Sequence, residues 1–514
     1  MVENLYSGLL VAPLEELANN DPRKIVFIAK NKQLTASQLF NNCQLIACNL
    51  SRHNFKENET VVIAVVPGLE FIELIYALLT LRAKIAVIDP EMGRENYASK
   101  IKQLAPGWMF VDSRLLFMND WPFLKKFILK FRKKLPDINF NIKSNIIKVG
   151  TNLPVRKKHI AFKKLLAPQT STINLINTTE PYDNFIVYTS GTLDVPKGVL
   201  HSDKSINASI NLLRDIIRGD KNDIVGTYLP HFMLLGIASG LAVKIMPVKM
   251  QAEEKLKWLK KENINILFGP PSELLPLVIH CETTKTLFPG SIKHLMLGSA
   301  PVHQGFLKRL AGVVNSVTKV TCTYGMTEHL LVAIADGRDK INYVGEGDLL
   351  GKIVKGVEIK INDDKEIFVK SDQIFTRYFH LNQRDEWHAT GDLGKIDSEG
   401  NLVLLGRKKE MIIRKDFNIY PALYEGTIKK IPGINEAAFV GIYDNDTHDE
   451  KVYLALETEN VNPFEIEKLL QHGRYSIDKQ ALPDLIFKMH IPGKGRHHKI
   501  DRAAIVQFIK DNKL

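Results

Sequence analysis

Residues 188–198 read Tyr-Thr-Ser-Gly-Thr-Leu-Asp-Val-Pro-Lys-Gly and follow a short apolar run, Phe185-Ile186-Val187. The mixture suits a loop that wraps phosphates. Small residues let backbone N–H groups approach oxygens, Thr189, Ser190 and Thr192 supply hydroxyl donors, and Lys197 supplies charge. The spacing differs from the Gly-x4-Gly-Lys-Ser/Thr loop of NTPases, and by itself the segment reads equally well as a turn. Downstream stand Gly298-Ser299-Ala300-Pro301, Tyr324-Gly325-Met326-Thr327-Glu328, Thr390-Gly391-Asp392, Gly406-Arg407-Lys408-Lys409 and a basic tail, Arg496-His497-His498-Lys499-Ile500-Asp501-Arg502. Singly, a Thr-Glu pair is the composition of a helix cap, an Asp after Gly that of a turn, and a lysine in a basic tail that of solvated surface.

In this order the motifs resemble the acyl-adenylate-forming superfamily of acyl-CoA synthetases, peptide-synthetase adenylation domains and luciferases, over nearly the whole chain. The resemblance implies activation of a carboxylic acid with ATP and Mg2+, then transfer to coenzyme A. In that reaction a carboxylate attacks the α-phosphorus although both are negative. The site must therefore hold the triphosphate, neutralise it and bridge the two anions. By this resemblance Thr189, Ser190, Gly191, Thr192, Lys197 and Gly198 cradle phosphates, and Gly298, Ser299 and Ala300 line the adenine and acyl pocket. Tyr324, with Gly325, meets adenine, Thr327 contacts the α-phosphate, and Glu328 coordinates Mg2+, for which a carboxylate is a suitable hard ligand. Asp392 and Arg407 bind ribose, and Lys409 is the hinge of a rotating small domain. Lys499 reaches the α-phosphate and the acyl carboxylate, as a point charge on a flexible stem.

Three departures bear on the outcome. Leu193 and Asp194 stand where the family commonly has a small hydroxyl residue and Gly, which removes a phosphate donor and sets a carboxylate near the triphosphate. Lys415-Asp416 replaces a glycine pair that helps acyl-CoA synthetases form the pantetheine channel. A histidine often found in the segment Leu229–Met233 is displaced by two places to His231, leaving Met233, which favours an apolar acyl group. Residues 324–338 and 496–500 also resemble the β-lactone synthetases of bacterial olefin biosynthesis, which adenylate a β-hydroxy acid and let its own hydroxyl attack. The expectation is a medium- or long-chain fatty acyl-CoA synthetase. A β-lactone synthetase is the rival, and a nucleotide- or acyl-binding relative without turnover is the non-enzymatic alternative.

To position these residues, a chain of 514 residues needs two or more domains. Ile25–Ala29, Val61–Val66 and Ala86–Ile88 read as strands, with helical patterns after Thr35 and over Glu70–Arg82. This βαβ rhythm predicts an α/β fold with parallel and mixed sheets in a large domain, residues 1–406. Short strands after Gly351 predict a β-rich lobe, and residues 407–514 a small mobile α+β domain carrying Lys499. Val225–Val243 carries no formal charge but holds Pro230 and three glycines, so it reads as a buried segment rather than a membrane span.

Between Pro122 and Pro168 stand thirteen Lys or Arg and one acid, Asp137, equal to the whole net charge of +12. Residues 121–134 predict a helix with Leu124, Phe127, Ile128 and Phe131 on one face. It reads either as a surface helix packed on its own domain or as a contact with an anionic membrane. No nucleic-acid motif accompanies the charge. The four cysteines lack metal spacing, and the first residues lack the layout of a signal peptide. The expected location is cytoplasmic, with the inner membrane face as a peripheral alternative.

Overall fold

Apolar runs of the first third become buried strands. Thr60–Ala64, Lys84–Val87, Trp108–Asp112 and Asn145–Val149 pair in parallel, and Asp183–Thr189 joins them beside Lys84–Val87. That strand turns back antiparallel into Lys197–Ser202, within a sheet of eight strands. The computed structural model describes every residue except 1, 90–93, 122–143, 152, 156–158, 169–171, 190–196, 248–249, 346, 382–383, 408–411, 416, 420, 460 and 495–498. The expected basic helix, the loop from Ser190 to Asp194, Lys409 and Asp416 thus lie outside the described residues.

Helix Ala36–Arg52 starts where Thr35 accepts from the Gln38 backbone and the Gln38 side chain accepts from the Thr35 backbone, a reciprocal cap. Helix Leu69–Thr80 buries Phe71, Leu74, Ile75 and Leu78, at i, i+3, i+4 and i+7, but also the residues between them, because neighbours cover it all round. One core joins these helices to inner residues of both large sheets, Ile63 and Ile85 from the first and Phe27 and Val243 from the second.

The second sheet has thirteen strands. Its parallel run places Ala242–Ile245, Ile224–Thr227, Ile266–Gly269, His294–Leu297 and Lys319–Met326 side by side. The short strands of the expected β-rich lobe continue this sheet. The hairpin of Lys319–Met326 with His329–Asp336 reverses direction, and Asp348–Ile353, Asn401–Arg407 and His388–Ile396 follow antiparallel. The uncharged stretch is strand Ile224–Thr227, helix Pro230–Ala238 and strand Ala242–Ile245. Among the described residues no helix is long and apolar enough to cross a membrane.

Beyond Arg407, strands Glu436–Asp444, Asp449–Glu457 and Leu485–Lys488 make a small sheet of their own. Its alternation puts Phe439 and Leu454 in one core and Ala438 and Ala455 in another, on opposite faces. Among the described residues the small domain touches the large one at two places. Asn96 Nδ2 donates to Asp478 Oδ2 at 2.6 Å and Thr427 Oγ1 donates to Glu95 at 3.1 Å. Elsewhere the His303 ring packs edge-on to Tyr443 at 4.1 Å. Cys43, Cys48, Cys281 and Cys322 are all buried, and none of them forms a disulfide.

Candidate active site

Adjacent parallel strands end together, so the segments after Thr227, Gly269, Leu297 and Tyr324 leave one edge of the sheet, where open α/β sheets bind ligands. Two glycines shape that edge. A Cβ on Gly298 would lie 2.2 Å from Thr323 Oγ1 and 3.2 Å from the Phe268 ring. Ser299 then takes a left-handed φ of 63°. A Cβ on Gly325 would lie 2.1 Å from the Leu330 carbonyl oxygen, so the chain crosses itself here too closely for any side chain. The pairing shifts register between Tyr324 and Met326. Thr327 and Glu328 form the turn between two strands, which removes the helix-cap reading of this pair.

Two clasps flank the turn. On one side Tyr324 OH donates to Asp392 Oδ2 at 2.7 Å. Asp392 is buried, its backbone N–H donates to Thr390 Oγ1 at 3.1 Å, and Gly391 before it has φ 75°. Arg407 stands opposite Asp392 in the neighbouring strand, and its side chain lies outside the described residues. On the other side Tyr378 OH donates to Glu328 Oε1 at 3.0 Å, and Lys197 Nζ sits over the Tyr378 ring, 5.0 Å from its centre. Burial raises the Glu328 carboxyl above its ordinary range, while the Tyr378 bond and the charge of Lys197 oppose that rise.

His201 secures the turn from below. It shares its strand with Lys197, four residues on and so on the same face. Its Nε2 lies 2.8 Å from the Thr327 carbonyl, which can only accept, so that nitrogen carries the proton. Burial holds this imidazole down to about 4, hence neutral. Phe375 N–H donates to the Glu328 carbonyl at 2.8 Å. Neither Tyr378 nor His201 was among the sequence candidates. Strand pairing of Tyr378 with Val199 brings them here, and no local motif marks it.

Lys197, Gly198, Gly298, Ser299, Ala300, Tyr324, Gly325, Thr327, Glu328 and Asp392 are all described, and the clasps tie Tyr324 to Asp392 and Glu328 to Lys197. Thr189 faces Lys197 at the mouth of its hairpin, and Gly198 packs against Ile186 and Phe379. Ser190, Gly191 and Thr192 lie outside the described residues. The backbone of Lys499 pairs with Lys494, and its side chain is not described. Three residues on, Arg502 anchors the segment through two bonds to Glu425, at 2.7 and 3.0 Å. Met233, expected to face the acyl group, is fully buried in the core. His231, two residues earlier in the same helix, instead reaches the aromatic rings of Phe232 and Phe268.

Among the described residues no group of three or more His, Cys, Asp or Glu could hold a metal alone. A single carboxylate such as Glu328 fits Mg2+, which keeps waters and takes most ligands from substrate phosphates. The glycine-shaped edge and the Asp392 carboxylate fit a nucleotide, since they combine close backbone approach with an acceptor for hydroxyls.

Residues 14–379 match the family model described as AMP-binding enzyme. A long-chain-fatty-acid–CoA ligase of Mycobacterium tuberculosis is 26% identical over 329 residues, which cover 60% of this chain and 64% of the ligase. A 2-succinylbenzoate–CoA ligase of Bacillus cereus is 24% identical over 525 residues, 95% of this chain and 97% of the ligase. The structure of an amide bond synthetase from Marinactinospora thermotolerans superposes with a TM-score of 0.80 at 18% identity, covering 98% of this chain and 99% of that one.

Proposed function

The chain belongs to the AMP-binding enzyme family, and we propose that it activates a medium- or long-chain fatty acid as its acyl-adenylate and passes the acyl group to coenzyme A. The observation that carries this reading is the pair of clasps around Thr327-Glu328. Asp392, with Arg407, takes the ribose, and Tyr324 packs on adenine. Lys197, Thr189, Ser190, Gly191, Thr192 and Gly198 hold the triphosphate. Glu328 carries Mg2+, which lowers the charge that the attacking carboxylate meets, and Thr327 steadies the α-phosphate. Lys499 bridges the two anions when residues 407–514 turn about Lys409. Phe232 and Phe268 give the acyl crevice an apolar wall, and the fatty-acid ligase from M. tuberculosis supports a long acyl chain. The basic stretch 122–168 supports collection of such acids at an anionic membrane surface.

One observation favours the β-lactone alternative. Lys415 takes a left-handed φ of 58° in the hairpin of Ile412–Arg414 with Phe417–Ile419. The backbone keeps the shape a glycine would adopt while carrying a long side chain, which suits a reaction needing no thiol channel.

Both readings are tested by ATP–pyrophosphate exchange with Mg2+ across saturated fatty acids and their 3-hydroxy counterparts, with Lys499→Ala as control. Exchange that rises with chain length and is lost in the control supports adenylation. A CoA thioester then separates the ligase from the lactone route. Absence of exchange with every acid refutes both.

A further inference from the structure

Helix Arg94–Leu104 of the large domain carries one side of the domain seam, where Glu95 meets Thr427 and Asn96 meets Asp478. Lys100 stands four residues after Asn96 and so on the same helix face. It is only 8% exposed, yet its ammonium makes no hydrogen bond or close ion pair among the described residues. Burial lowers its pKa, and the carboxylates of Asp478 and Asp89 oppose that fall. Asp89 belongs to the large domain and is present whatever the small domain does. Asp478 arrives with the small domain, and the bonds from Asn96 Nδ2 at 2.6 Å and Tyr424 OH at 2.9 Å hold it at the seam.

The same ammonium also borders the phosphate loop. Lys100 Nζ sits over the Tyr188 ring, 5.1 Å from its centre. Tyr188 is the last residue but one of strand Asp183–Thr189, which leads into the loop. Its ring also packs on the strand that leaves the loop, where a Cβ on Gly198 would lie 3.4 Å from Tyr188 Cζ. One aromatic ring thus meets both Lys100 and the base of the loop. A buried charge is screened far less than an exposed one, so its field carries to its neighbours. With Asp478 seated, much of the positive potential of Lys100 at the loop is cancelled. With Asp478 withdrawn, that potential adds to the potential of Lys197.

We propose that the seated small domain and the bound triphosphate compete for Lys100, so that loading ATP loosens the seam and frees the small domain to turn. This rests on the nucleotide-binding reading above. The test is the dissociation constant of ATP with Mg2+, measured by calorimetry on the full chain without an acid. The proteins are the unaltered chain, Asp478→Asn, Asn96→Ala, Lys100→Met, and each of the first two variants combined with Lys100→Met. Asp478→Asn removes the competing charge and should tighten ATP binding about fivefold. Lys100→Met keeps the length of the side chain without its charge and should weaken binding. In that background Asp478→Asn should change little. Asn96→Ala alters no charge and no core, so it serves where Asp478→Asn folds poorly, and it too should tighten binding only while Lys100 is present. Linkage is reciprocal, so ATP should shift the distances between dyes on the two domains in the unaltered chain and shift them much less in Lys100→Met. Equal effects of Asp478→Asn with and without Lys100 overturn the inference, as does unchanged or weaker binding in both Asp478→Asn and Asn96→Ala. Absence of ATP binding in the unaltered chain and every variant overturns the nucleotide reading itself, and that failure is distinct from additive effects on measurable binding.

Discussion

Replacing Tyr378 with Phe deletes the hydroxyl that donates to Glu328 at 3.0 Å. Burial already raises this carboxyl, and the Tyr378 hydrogen bond opposes that rise by favouring the charged form. Its pKa should therefore climb further, and the acid limb of the kcat/KM profile should move to higher pH. Loss at pH 6 should thus exceed loss at pH 8, and an equal loss at both would show that Tyr378 does not tune Glu328. Gly325→Ala makes a different demand. Its Cβ would meet the Leu330 carbonyl at 2.1 Å, and a backbone atom cannot swing aside. The variant should lose about 2–3 kcal/mol of stability by overpacking, read as a lower Tm, together with pyrophosphate exchange. Glycine identity at 298 and 325 was legible in the sequence, because a motif keeps its glycine where no Cβ fits, against Thr323 and Phe268 at 298 and the Leu330 carbonyl at 325. Tyr378 and His201 were not, because strand pairing 177 residues apart in sequence brings them to the turn, and pairing leaves no local mark.

Helices and hairpins carry their own consequences. Helix Leu69–Thr80 buries Glu73, whose carboxylate accepts from Asn42 Nδ2 at 2.7 Å. Desolvation raises this carboxyl from about 4.5 to about 7. Between those values the folded chain keeps a proton that the unfolded chain has released, so stability falls as pH rises through that window. The fall amounts to about 3 kcal/mol, complete above pH 7. Glu73→Gln keeps the acceptor for Asn42 and removes the charge. Urea unfolding should show it more stable than the unaltered chain at pH 8 and nearly equal at pH 4.5. Lys415→Gly should gain about 1 kcal/mol by relieving the left-handed φ. Under the β-lactone alternative it should also open a path for thiols, read as faster CoA-dependent turnover. Helix positions were readable here from Thr35 as a cap and the 3.6-residue spacing, and the structure adds Gln38 as the other half of that cap. The continuous thirteen-strand sheet was not, because short strands after Gly351 look alike whether they form a separate lobe or extend an existing sheet.

At the scale of the whole molecule, the small domain meets the large one through few polar contacts. Asp478 accepts from Asn96 at 2.6 Å and from Tyr424 OH at 2.9 Å, so one carboxylate ties the seam to the small domain's own core. Asn96→Ala should loosen the seam without touching either core. The distribution of distances between dyes placed on the two domains should broaden, whereas an unchanged distribution would mean that the remaining contacts, Thr427 with Glu95 and His303 with Tyr443, set the arrangement without Asn96. The native thiols make such labelling simple. Burial pushes Cys322 up to about 12 and raises Cys43 and Cys281 as well, so almost no thiolate forms at neutral pH. Cys48 is buried as well, so a cysteine introduced on each surface would be the first to react with a maleimide, and the chain needs no cysteine-free background before the proposed rotation of its small domain is tested by energy transfer between single pairs of fluorophores.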